Sequence, residues 1–224
     1  MWVTRSTSSR LMNRKKSVPV KNRRTLARER LRREYRPTHV RLLFVGEAPP
    51  ASGRFFYQGD SGLYRAIREA FTITFPGIPQ PDFLESFRDL GCYLVDLCRE
   101  PVDRLTARQR RKTWFESEAR LAALLKRLRP QVVITVVRSI VPSVKRAQER
   151  ANWPAPLLEL PYPGRWKRHR VAFLKQLVLF LRRNLAPTTS VRRRTGALTL
   201  REAIKVHWRP KVLVLCMHRR RKRQ

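Results

Sequence analysis

Acidic residues, cysteines and long apolar runs are all scarce in this sequence, and each scarcity excludes a class of protein. Its cysteines are Cys92, Cys98 and Cys216, an odd number with no CxxC pair, which argues against a disulfide framework and a four-cysteine metal site. The longest apolar run near the end of the central region, at 171–181, is interrupted by polar residues and is too short to span a bilayer. The sequence therefore predicts a soluble protein with reduced thiols, no metal, no cofactor and no membrane contact.

The shortage of acids leaves a large excess of positive charge. The chain holds 16 Asp and Glu against 51 Lys and Arg, a formal net charge of +35. A compact chain with this charge repels itself, and a polyanionic partner relieves the repulsion. Nucleic acid is the expected partner because each neutralised phosphate releases counterions. An anionic membrane surface is the alternative. We expect a monomer that binds DNA, single-stranded or lesion-containing DNA included, in the cytoplasm in association with the nucleoid.

Much of the positive charge lies at the two ends of the chain. Residues 1–38 have no acid before Glu29 and almost no apolar periodicity, which predicts a largely disordered basic arm. A cleaved organelle-targeting peptide has a similar Arg-rich, acid-poor composition, so targeting remains an alternative. Residues 186–224 mix Arg runs with one strand-like stretch and are predicted to form a mostly irregular basic tail. One globular domain is expected between them, at 39–185.

Short apolar runs alternate with helical patterns through 39–185. The runs VRLLFVG, CYLVDLC, QVVITVV and LLEL are typical of buried strands. Ser61 is placed to cap one helix, and Thr106 with Gln109 forms a capping-box pattern before a longer one. This alternation predicts an α/β fold of three αβα layers with a short central parallel sheet of about four strands. In such sheets the ligand crevice lies beyond the carboxyl ends of the strands, so the segments that follow the four runs should converge.

Those segments resemble a known family. Residues 45–67, VGEAPPASGRFFYQGDSGLYRAI, are similar to the first motif of the uracil-DNA glycosylase superfamily, closest to its GEAPG branch. From Tyr57 to Gly62 the chain keeps the branch's spacing of an aromatic and two glycines. CYLVDLC resembles the second strand, where an Asn usually reads the base, and LPYPGRW stands in place of the His-Pro-Ser loop. The resemblance covers about residues 40–185 and implies a uracil-DNA-glycosylase-like fold that acts on a base flipped out of the stack.

The resemblance and side-chain chemistry together suggest roles for the pocket residues. Glu47 is the candidate acid or water-positioning group, and a solvated loop acid is the alternative. Tyr162 stands where the family has His and would steady the leaving base. Backbone N–H groups at Gly46 and Ala48 would hold a base carbonyl or the sugar side. Tyr57 would stack on the flipped base.

Two departures from the family pattern affect substrate and cofactor. Asp96 stands in the place of the base-reading Asn, and an ionised Asp only accepts hydrogen bonds. It would favour a donor edge such as the amine of cytosine or adenine, and a damaged or deaminated purine is a further alternative. The GEAPG branch commonly holds an iron-sulfur cluster through four cysteines, which this chain lacks, so no cluster is expected.

A basic loop follows the fourth strand. Arg165, Trp166, Lys167 and Arg168 are suited to gripping phosphates while Trp166 wedges or stacks. Arg138, after the third strand, would extend the same phosphate track. In the alternative these residues simply face water.

Two functions follow from these observations. The first is a DNA glycosylase that hydrolyses the N-glycosidic bond of an abnormal, uracil-like or deaminated base in DNA repair. The second is a catalytically inactive DNA- or RNA-binding protein of the same fold, because Asp96 and Tyr162 replace the family's usual groups. A nucleotide-handling α/β protein is a weaker third alternative, since no GxGxxG or Walker pattern is present.

Overall fold

The computed structural model of the chain describes residues 20–77, 83–164 and 166–185. The predicted tail at 186–224, the first part of the arm and Arg165 lie outside the described residues. The described elements are, in chain order, α1 (Val20–Glu34), β1 (Leu42–Gly46), α2 (Gly62–Thr74), α3 (Phe83–Asp89), β2 (Cys92–Asp96), α4 (Ala107–Leu128), β3 (Val132–Thr135), α5 (Val141–Ala151), β4 (Leu157–Glu159) and α6 (Lys167–Asn184).

The sheet has four strands, all parallel, in the order β2-β1-β3-β4. Every residue of β1 and β2 is buried, as expected where helices cover both faces of a parallel sheet. α4 packs against α5, and α2 packs against α6. The predicted α/β fold with a four-stranded parallel sheet is confirmed, and the arrangement is consistent with three αβα layers.

Local capping signals set where the helices begin. The Ser61 hydroxyl accepts a hydrogen bond from the Tyr64 amide at 3.1 Å, which caps α2. Thr106 and Gln109 form the predicted capping box, with the Gln109 side chain accepting from the Thr106 amide at 3.0 Å. Both predicted helix starts are confirmed. Because each helix follows a strand end, these caps place the first turns of α2 and α4 at the carboxyl edge of the sheet.

An aromatic cluster between the sheet and helices α2 and α3 fixes the loop that follows β1. The Phe56 ring packs on Phe87 with 5.4 Å between centroids and on Tyr64 at 5.8 Å. Phe87 also packs on Phe44 of β1 at 5.4 Å. Burying each such ring contributes about 1.5–3 kcal/mol. The loop carrying Phe56 is therefore anchored in the core.

The prediction of a disordered arm is wrong for residues 20–34, which form helix α1. The helix has no apolar stripe because much of its contact with the rest of the fold is polar. Arg32 donates a hydrogen bond to Asp96 of β2 at 2.8 Å. Tyr35, one residue beyond the helix, stacks on Tyr57 with 5.6 Å between ring centroids. A long-range ion pair of this kind leaves no periodic signal in the sequence, so composition alone could not reveal the helix.

Candidate functional site

A cleft of about 860 Å³ opens at the carboxyl edge of the sheet. Segments that follow each of the four strands contribute to its lining, as the fold predicted. Five of the residues singled out in the sequence lie in its wall: Gly46, Glu47, Ala48, Asp96 and Tyr162. The functional roles assigned to them stay predictions.

Gly46 and Asp96 form the floor of the cleft. They are register partners at the ends of β1 and β2, and the Leu97 amide donates to the Gly46 carbonyl at 2.8 Å just beyond them. A β-carbon on Gly46 would lie 2.8 Å from Asp96 Oδ1, closer than real β-carbons approach other atoms. Glycine is therefore required here to leave room for the carboxylate oxygen.

Asp96 is held by a buried guanidinium from helix α1. Arg32 Nη2 donates to Asp96 Oδ2 at 2.8 Å, Arg32 Nη1 pairs with Glu29, and the Arg32 side chain is only 7% exposed. Burial raises the pKa of Asp96, while Arg32 and Arg120 act in the opposite direction. Burial also lowers the pKa of Arg32, but the charges of Asp96 and Glu29 outweigh it and the net direction is upward. Arg32 therefore keeps its proton and supplies a permanent counter-charge to Asp96.

Glu47 is fixed by two residues one helical turn apart on α4. Arg110 donates through Nε and Nη2 to the two carboxylate oxygens, and Trp114 Nε1 donates to Oε1 at 2.9 Å. The Glu47 side chain is 11% exposed, so it is not a solvated loop acid. Three N–H donors hold the carboxylate in one orientation. Glu47 is therefore placed to accept a hydrogen bond from water in the cleft.

The prediction that Tyr57 stacks on a flipped base is wrong, because its ring is buried in the core and is not part of the cleft wall. Its hydroxyl donates to the Leu94 carbonyl at 3.0 Å and accepts from the Leu94 amide at 2.8 Å. Leu94 belongs to β2, an edge strand, whose outer backbone groups need a partner when buried. Tyr57 supplies that partner, so its role in the described structure is to close the sheet edge.

Phe55 and Phe56 line the cleft instead of Tyr57. The Phe55 amide donates to Asp60 Oδ1 at 2.7 Å, which holds the loop in place. The Arg32 guanidinium lies 5.2 Å from the centroid of the Phe55 ring. Phe55 is as buried as Tyr57, at 2% exposure, but it belongs to the cleft wall and lies beside the guanidinium that holds Asp96.

Tyr162 stands in the cleft wall beyond β4 and is 47% exposed. A β-carbon on Gly164 would lie 2.7 Å from its Cδ1 atom, so glycine is needed there for the ring to fold back over the loop. Partial burial raises the pKa of Tyr162, and the charges of Asp103 and Glu47 raise it further. The phenol therefore stays protonated at neutral pH and can donate a hydrogen bond into the cleft.

Apart from Arg165, which is outside the described residues, the predicted phosphate-binding residues are not part of the cleft wall. Trp166, Lys167 and Arg168 are exposed at the amino end of α6, and the Arg168 guanidinium lies 5.9 Å from the Trp166 ring centroid. Arg138 is exposed beside Ser139, which does line the cleft. Both groups follow strand ends and so belong to the same edge of the sheet as the cleft.

Sequence reasoning missed three residues that shape the site: Arg32, Arg110 and Trp114. The last two had a usable signal, because they lie four residues apart at the start of a helix that follows β2. The first turns of such a helix must face the carboxyl edge. Arg32 had no such signal in the sequence, since its partner Asp96 lies 64 positions away along the chain.

The described part of the chain contains no group of three or more His, Cys, Asp or Glu side chains that could hold a metal ion. Within the same ranges, no helix has both the length and the apolar character needed to cross a bilayer. No protein-family model matches the chain, and no curated protein matches it. The resemblance to uracil-DNA glycosylases therefore rests on the residues themselves.

Proposed function

We propose that the cleft binds a single nucleobase extruded from DNA and that the protein hydrolyses the N-glycosidic bond of an abnormal base. The observation that carries this proposal is the meeting of an oriented carboxylate, Glu47, a recessed carboxylate, Asp96, and a phenol, Tyr162, in one cleft. A net charge of +35 suits the polyanionic partner.

The motif residues support this proposal through their positions. Gly46 to Ala48, Asp96 and Tyr162 come from three segments that resemble glycosylase motifs and are far apart in sequence. All of them line the same cleft. Convergence at this edge is general to parallel α/β sheets. What supports the proposal is that the segments meeting there carry the carboxylates and the phenol that the glycosylase resemblance assigns to the site.

The proposed reaction adds one water molecule across the glycosidic bond. Glu47 Oε2 accepts one hydrogen bond from Arg110, which leaves an acceptor site that can orient water. The water oxygen bonds to the sugar C1′ atom while the bond from C1′ to the base nitrogen breaks, and the base leaves with the electron pair. The water loses one proton to solvent, and the base nitrogen takes one up, with the Tyr162 hydroxyl as hydrogen-bond donor. The products are a free base and an abasic site.

A second function, nucleic-acid binding without chemistry, is favoured by the contacts of Glu47. Arg110 and Trp114 together donate three hydrogen bonds to its carboxylate, which occupies much of its hydrogen-bonding capacity and suits a structural role. Such a protein would bind a flipped base and leave the glycosidic bond intact.

Base release from defined oligonucleotides tests the proposal. Single- and double-stranded oligonucleotides, each carrying one uracil, hypoxanthine or other altered base, are incubated with the protein and then with alkali to cut abasic sites. We expect cleavage for at least one base, loss of cleavage in Glu47→Gln, and retention in Glu116→Gln, an exposed acid of α4 outside the cleft. Binding without cleavage at any base would support the second function.

A further inference from the structure

The two oxygens of the Asp96 carboxylate have different surroundings. Oδ2 accepts from Arg32, whereas Oδ1 lies beside Gly46 at the cleft floor. Among the described residues, the hydrogen bonds of this carboxylate all go to Oδ2. Oδ1 is therefore the oxygen available to a bound base.

Burial raises the pKa of Asp96, and the hydrogen bond that Arg32 donates to Oδ2 is the contact that favours the ionised, acceptor form. Arg32 and Arg28 approach it from α1 and Arg120 from α4, and Glu29 is the acid among them. Arg120 donates to the backbone carbonyl of Leu97 at 2.7 Å and to that of Asp96, so Arg32 is the residue that contacts the carboxylate itself. An ionised carboxylate has no proton to donate. A base carbonyl placed against Oδ1 would leave two acceptors facing each other.

We propose that Arg32 is a positioning residue that fixes Asp96 as an acceptor on the cleft floor, so that the cleft selects an amino-bearing nucleobase over one with a carbonyl oxygen at the same edge position. This inference rests on the proposed binding of a flipped base. It narrows the substrate class to altered bases that keep an exocyclic amine at this edge position, makes the deaminated bases uracil and hypoxanthine poorer ligands, and assigns helix α1 a part in specificity.

Two pairs of oligonucleotide substrates, identical within each pair except for one base, test this inference. Cytosine with uracil, and adenine with hypoxanthine, differ by an amine against a carbonyl; each is placed unpaired at one position of an otherwise identical duplex. Binding is measured by fluorescence anisotropy at fixed salt, and base release by alkaline cleavage. We expect the wild type to favour the amino member by about ten- to hundredfold, because the carbonyl member leaves buried acceptors unpaired.

The variants separate positioning from folding. Asp96→Asn supplies an amide donor and should lose or invert the preference. Arg32→Met should reduce it to near unity, Arg32→Lys should restore part of it, and Arg30→Met, exposed on the same helix, should leave it unchanged. Circular dichroism identifies any variant that does not fold. In that case Gly46→Ala, which leaves the ion pair intact but collides with Oδ1, should lower the preference in its place.

The outcomes distinguish this inference from the proposed function. Equal binding of both members by the wild type, or a full preference in folded Arg32→Met, overturns the inference even where bases are released. Selective binding of amino-bearing bases without release supports the inference and overturns the proposed hydrolysis.

Discussion

Gly46 and Asp96 are adjacent across the β1–β2 ladder, and a β-carbon on Gly46 would lie 2.8 Å from Asp96 Oδ1. The glycine therefore fixes how far the carboxylate can reach over the cleft floor. A single methyl group at this point is a direct probe of the site.

We expect Gly46→Ala to weaken binding of base-altered DNA and to destabilise the fold by about 1–3 kcal/mol, as added atoms do in a tight core. Urea unfolding and anisotropy titration measure the two effects. Gly77→Ala is the matched control, because a β-carbon there meets no atom of the described residues within 4 Å. Equal behaviour of the two variants would contradict the close approach of Oδ1.

The Arg32–Asp96 pair should show strong coupling in unfolding. The two side chains are 7% and 9% exposed, and removing one member of a buried pair costs about 3–5 kcal/mol because the other charge is left alone. We expect Arg32→Met to lose stability on this scale, Asp96→Asn to lose less because Glu29 still pairs with Arg32, and the double variant to lose less than the sum of the two. Additive losses in a urea double-mutant cycle would show that the two residues do not interact.

The free energy of unfolding should depend on pH in the acidic range because Asp96 titrates there. Burial raises the folded pKa of Asp96 above its ordinary value of 3.8, against the opposing charges of Arg32, Arg28 and Arg120, while Glu29 adds to the rise. The folded state then binds more protons than the unfolded state between the two pKa values. The contribution of Asp96 to the free energy of unfolding is therefore fully present below 3.8 and is lost as the pH rises through the folded pKa.

Unfolding measured across this pH range in wild type and Asp96→Asn isolates that contribution as a difference. We expect the difference in the free energy of unfolding between wild type and Asp96→Asn to fall as the pH rises. In the Arg32→Met background, which lacks the counter-charge, the same difference should continue to fall up to a pH closer to neutral. A difference that does not change with pH would contradict the raised pKa.

Tyr57→Phe should harm the fold and spare base recognition. The substitution leaves the Leu94 amide and carbonyl without their buried partner, which costs about 1–3 kcal/mol. Thermal or urea unfolding measures the loss, and anisotropy with base-altered DNA measures recognition. Selective loss of base binding at unchanged stability would return Tyr57 to the stacking role that its motif position predicted.

The basic start of α6 should contribute to the salt dependence of DNA binding. If Lys167 and Arg168 each contact a phosphate, changing both to Ala should lower the slope of log affinity against log salt by about 2. The double variant Lys126→Ala with Arg127→Ala is a charge-matched control, because both residues lie in the last turn of α4, away from the helix start that faces the cleft. An equal fall in both double variants would mean that binding follows net charge alone.

Local signals predicted the sheet and the helix starts because the residues that carry them act locally. Apolar runs in the sequence predicted β1 to β3. Ser61 and Thr106 cap their helices through contacts three residues away. The convergence of strand ends then followed from parallel topology. Glu47 and Asp96 could be placed in one cleft on this basis alone.

What the sequence could not predict depends on long-range pairing. An aromatic before a glycine looks the same whether it faces a cleft or a sheet edge, so the burial of Tyr57 required knowing that β2 is an edge strand. The order of α1 depends in part on Arg32 meeting Asp96, which no periodicity records. The burial of Tyr57 and the order of α1 both depend on contacts beside β2, where charged and aromatic side chains are buried together.

Helix α1 also determines where the protein can be shortened. A truncated chain starting at residue 39, the boundary that composition suggested, would discard the only guanidinium that contacts the Asp96 carboxylate within the described residues. It would also remove the hydroxyl of Thr25, which donates to Glu100 at 2.6 Å. Such a fragment would keep the four described strands but leave the Asp96 carboxylate without its hydrogen-bond donor beneath the cleft, so the smallest useful recombinant unit begins upstream of this helix.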